Sequence, residues 1–92
     1  MVIVKKMPTI SEFFGIVILM FYGDHVPPHF HARYGDDEAL IRIDPVGILK
    51  GKLPPRALSL VIEWAQSHQK ELMEDWNHAA NNKKLQKIPP LQ

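Results

Sequence analysis

The sequence predicts an α+β domain: a small antiparallel sheet of three to four strands packed against one long C-terminal amphipathic helix. A change of period along the chain carries that prediction. Between His29 and Ile43 apolar and polar residues alternate, the pattern of half-buried strands. From Pro55 onward the period becomes 3.6, with Leu58, Val61, Ala65, His68, Leu72, Trp76 and Ala79 forming one stripe. The 92 residues are expected to make a single domain, 1–92. A chain of that size buries roughly 60–65% of its unfolded surface.

Met1–Lys6 precede a second methionine, which opens MPTIS as a natural start would, so residues 1–6 are expected to be an N-terminal extension. The run FFGIVILMFY, Phe13–Tyr22, is about half as long as a bilayer-crossing helix and is assigned to the core. Within it Gly15–Tyr22 is β-branched and aromatic on both alternating faces, and reads as the central strand. Pro8 and Glu12 follow Lys5 and Lys6 without a small-residue cleavage pattern, which argues against a secretory signal. Cysteine is absent, which fits a reducing compartment and leaves only His, Asp and Glu to hold a metal. The expectation is a soluble cytoplasmic protein without membrane contact.

HFHARY and DEALIRI flank Gly35 and Asp36, a pair suited to a two-residue hairpin turn. That register sets Tyr34 opposite Asp37, Arg33 opposite Glu38 and His29 opposite Arg42. Phe30, Ala32, Ala39 and Ile41 then face the core, and His29, His31, Arg33, Glu38 and Arg42 share the polar face. Pro55 suits the first turn of the helix, where a missing N–H costs nothing. Trp64 and Trp76 lie about 120° apart around a helix, which puts Trp76 at the centre of the core and Trp64 at its border. His78 is expected to face solvent. Asn81 and Asn82 read as the C-terminal cap, and residues 83–92, with three lysines and two prolines, as a loosely ordered tail.

Eleven basic side chains against ten acidic ones give a net charge of +1, too little to grip nucleic acid or an anionic membrane by a global field. A two-faced apolar strand with one helix to cover it, in a chain 46% hydrophobic, points to a homodimer.

The segment DHVPPHFHARYG, Asp24–Gly35, holds three of the five histidines. His29 and His31 at i and i+2 on a strand point the same way, about 7 Å apart at their backbones. Four readings stay open. In the first, the pair supplies two metal ligands, with a third from His25, Asp24 or His68. In the second, they act as acid and base on a phosphodiester, with Arg33 or Arg42 stabilising charge. In the third, the rigid Pro27-Pro28 segment and its imidazoles contact a partner. In the fourth, the prolines fix an edge strand and the histidines are solvated or hydrogen-bonded to neighbouring backbone. His68, in the helix stripe, is first read as a buried or half-buried histidine bonded to backbone.

MPTIS, Phe14-Gly15-Ile16, DHxPPHFHA, Tyr34, GKLP with Arg56, and EWAxxH with Glu71, Leu72 and Trp76 together resemble the domain of unknown function 4160 family, from Met7 to about Pro90. The resemblance implies a short cytoplasmic bacterial protein of a family without established activity, often encoded beside another small protein in a toxin–antitoxin-like layout. It also implies that His25, Pro27, Pro28, His29, Phe30, His31, Arg56, Trp64, His68 and Trp76 are motif positions. The expected function is therefore binding of a neighbour-encoded protein or RNA through the DHVPPHFH segment, without a cofactor. Any catalysis would fall to His29, His31, Arg33 and Arg42, and binding to His25, Pro27, Pro28, Phe30, Arg56 and His68. The alternative is a metal-binding protein or metal-dependent hydrolase that holds zinc or a similar divalent ion through His25, His29 and His31.

Overall fold

A computed structural model describes residues 7–92; the extension expected at 1–6 lies outside them. The fold is α+β, with five antiparallel strands in the order of the chain followed by two helices. The strands are β1 Thr9–Phe13, β2 Ile16–Leu19, β3 His29–Tyr34, β4 Asp37–Ile43 and β5 Val46–Gly51. No described helix is long and apolar enough to cross a membrane.

The sheet has more strands than the three to four expected. The run read as one apolar stretch folds back at Phe14 and Gly15, both at positive φ (49° and 79°), the geometry of a two-residue hairpin turn. β2 is accordingly short and second in the sheet, and β3 occupies the middle. The β3–β4 hairpin has the expected register, with Tyr34 opposite Asp37, Arg33 opposite Glu38 and His29 opposite Arg42. Phe30, Ala32, Ala39 and Ile41 are all fully buried, as the alternation requires.

The single long helix is instead two, α1 Pro55–Ser67 and α2 Gln69–Ala80, separated by His68 at φ −128°. Size explains the break. An unbroken helix over that span would run about 39 Å, nearly the whole 40 Å length of the molecule and past strands only about 20 Å long. Breaking at His68 keeps Ala57, Val61, Trp64 and Ala65 buried from α1 and Leu72, Trp76 and Ala79 buried from α2. It also brings α2 across the end of the sheet, where the Gln69 amide donates to the Ile43 carbonyl (2.9 Å).

Trp64, not Trp76, is the centre of the core. Its ring is fully buried, 5.3 Å from Phe13 and 5.7 Å, edge on, from Phe30, while Trp76 lies nearer the surface. The indole N–H of Trp64 donates to the Pro89 carbonyl (2.8 Å). Residues 83–92 have no regular secondary structure, yet this bond, the buried Ile88 side chain and a backbone bond from Ile88 N–H to the Ile10 carbonyl (2.8 Å) tie them down along β1. One sheet edge is thus covered. The other edge, β5, is open and carries the exposed Ile48 and Leu49.

Candidate metal centre

β3 starts at His29, so His29 and His31 project from one face of the strand, as the i, i+2 spacing requires. Neither is solvated: their exposures are 5% and 7%. What covers them is the loop between β2 and β3. Phe21 stacks on the His31 ring at 4.2 Å and 4° between planes, and Asp24 folds inward over both imidazoles. Trp76 of α2 lies 5.3 Å from the His29 ring. The two imidazole centroids are 5.3 Å apart.

Asp24 Oδ2 sits 3.1 Å from His29 Nε2 and 3.1 Å from His31 Nε2. The far side of each ring determines what those nitrogens can do. His29 Nδ1–H donates to the Pro27 carbonyl (2.8 Å), which has no proton of its own to give. His31 Nδ1–H donates to Glu38 Oε2 (2.9 Å). In the neutral rings both protons are then on Nδ1, and the two Nε2 lone pairs point at a carboxylate oxygen. Three acceptors converge. A cation set between them would satisfy all three.

Glu38 fixes the outer ring nitrogen of His31 and is itself held by Arg33 (Nε to Oε1, 3.3 Å). Burial would push the Glu38 carboxyl up, but the His31 hydrogen bond and the Arg33 charge outweigh it and hold the group below its ordinary range. It therefore stays ionised, and keeps orienting His31, at a pH where an ordinary glutamate protonates.

Asp24, His29 and His31 each offer one ligand atom, all within 4.8 Å of one another. His25 is exposed and its backbone N–H donates to Asp24 Oδ1 (2.9 Å); the described cluster has Asp24 where the sequence reading set His25. Pro27 contributes its carbonyl, following a cis Val26–Pro27 bond, and Pro28 accepts from the Ile43 N–H at the start of the sheet (3.1 Å). Arg42 lies across from His29, with Nε donating to the Pro45 carbonyl (3.1 Å). Phe30 faces the opposite way, into the core against Trp64.

Two expected site residues lie elsewhere. His68 separates the helices, donates from Nδ1 to Glu71 Oε1 (2.7 Å) and packs on Trp64. Arg56 lines a cavity of about 390 Å³ with Phe14, Tyr34, Leu60 and Leu91. Sequence reasoning missed Phe21 and Trp76 as neighbours of the imidazoles, and set Glu38 on their face without giving it a role. The hairpin register contained the signal for Glu38, since it puts the residue one cross-strand step from Arg33 on the histidine face.

A family described as Domain of unknown function (DUF4160) matches residues 15–77, well over half of the 92-residue chain. No curated protein and no solved structure matches.

Proposed function

The chain belongs to the DUF4160 family, and we propose that it is a metal-binding protein in which Asp24, His29 and His31 hold one divalent transition-metal ion. The observation that carries this reading is the convergence of Asp24 Oδ2 and two Nε2 atoms whose rings are already committed, through Nδ1–H, to the Pro27 carbonyl and the Glu38 carboxylate. Ligating imidazoles characteristically donate their other N–H to a carbonyl or carboxylate in this way. The two separations from Asp24 Oδ2, 3.1 Å each, are within the span of donors that sit about 2.1 Å from one ion. Two imidazoles and one carboxylate favour zinc, ferrous iron or nickel over calcium or magnesium. Three protein ligands leave positions for water, the arrangement a metal-dependent hydrolase uses.

Acid–base work on RNA by His29 and His31 has less support, because both rings are turned inward under Asp24 and Arg33 is engaged by Glu38. For binding of a partner protein, the separate observation is the exposure of the same loop. The outer side of the same loop exposes His25, Pro27 and Val26, the last to 79%. Metal inside and partner outside are compatible uses of one loop.

The test is the metal content of untagged protein, by elemental mass spectrometry, after loading with zinc, nickel, iron or manganese and desalting. Wild type and His25→Ala are expected to retain about one equivalent, while Asp24→Ala and His31→Ala retain none. A wild type that binds no ion would sink the proposal; loss in His25→Ala with retention in Asp24→Ala would restore the His25 ligand set. Glu38→Gln is expected to keep the site but weaken it by about 10- to 100-fold in a competition titration with a chromophoric chelator.

A further inference from the structure

A second cluster lies between α2 and the tail, remote in sequence from the histidine pair. There Glu71, Glu74, Asp75 and His78 of α2 face Gln86, Lys87 and Ile88 across a cavity of about 290 Å³. Asp75 is 1% exposed. Its Oδ1 accepts from the Gln86 N–H (2.8 Å), but Oδ2 has no hydrogen-bond partner among the described residues, and neither has Nδ1 of the half-buried His78. At i and i+3 the two side chains share a helix face.

Burial of this kind pushes the Asp75 carboxyl above its ordinary range, and the Glu74 and Glu71 charges add to the push against the Gln86 hydrogen bond and His78. A buried carboxylate oxygen left unpaired is costly, and its natural complement is a donor with positive charge. The lining fixes the sign: three carboxylates oppose Lys87 and the imidazole of His78. Glu71 is partly engaged by His68, which leaves Glu74 and Asp75 as the acceptors with most capacity.

We propose that this cleft binds a cationic nitrogen group, an ammonium or guanidinium, with Asp75 Oδ2 and His78 Nδ1 as its acceptors and Glu74 at the rim. An anion is repelled by the same lining. The binding is independent of the metal centre.

The experiment is a titration of isotopically labelled full-length chain with methylguanidine, butylamine and N-acetyl-arginine amide, followed by NMR at the His78 ring and the Gln86 amide. Saturable shifts with about millimolar affinity are expected for at least one probe. Asp75→Asn keeps an oxygen for the Gln86 N–H and should weaken binding by about tenfold or more. Glu74→Gln, at an exposed position, should weaken it by about threefold and carries the test if Asp75→Asn does not fold. Tighter binding of N-acetyl-arginine amide than of methylguanidine identifies a protein side chain as the source, and the reverse a free small guanidinium; both uphold the site. Absence of saturable shifts with every probe, or equal affinity in the variants, overturns it and leaves a water-filled cleft.

Discussion

Trp64→Ala is expected to destabilise the protein by about 3–5 kcal/mol, the range for removing a large aromatic side chain from a core. That is a large share of the roughly 5–15 kcal/mol that holds a domain together. The effect is large because Trp64 joins three parts of the molecule. Its ring contacts Phe13 of β1, Phe30 of β3 and His68 between the helices, and its N–H holds the tail at Pro89. Urea unfolding followed by circular dichroism measures the loss, and a change below about 1 kcal/mol would contradict the placement of Trp64. Trp64→Phe separates the two roles. It keeps ring packing, so stability should fall less, but hydrogen exchange at the Ile88 amide should accelerate as the tail loosens.

Saturating zinc or nickel is expected to raise the melting temperature by about 10–30 °C. Binding at 100- to 1,000-fold above Kd adds about 2.7–4.1 kcal/mol, and a domain of this size gains about 4–8 °C per kcal/mol. The gain should vanish with chelator and be absent in Asp24→Ala and His31→Ala. An equal shift in those variants would assign the ion to another site. Ligation requires deprotonated donors, so binding releases protons and the gain should grow with rising pH and shrink on acidification.

Local pattern made part of this legible. The β3–β4 hairpin could be read residue for residue because a period of two, a Gly-Asp turn and a buried apolar face leave one register that hides Phe30 and Ile41. β1 and β5 could not, since TISEF carries a charge within the strand and VGILKG has glycine at its second and last positions. The helix break at His68 has no glycine or proline to announce it; it follows from the length of the sheet beneath. Trp64 and Trp76 changed places because their angle on a helix says nothing about which face β1 and the tail cover. The histidine pair was plain from spacing, but its third member was not. Asp24 was one of three candidates, and the choice depends on how the loop from Phe21 to Pro28 turns back over β3, a matter of tertiary contact rather than local pattern.

The covered edge at β1 also limits how copies of this chain can combine. Strand-by-strand growth needs two free borders, one to receive and one to offer. With Ile88 bonded to Ile10 along β1, β5 is the edge left more open among the described residues. Edge-to-edge pairing through β5 alone would therefore stop at two copies.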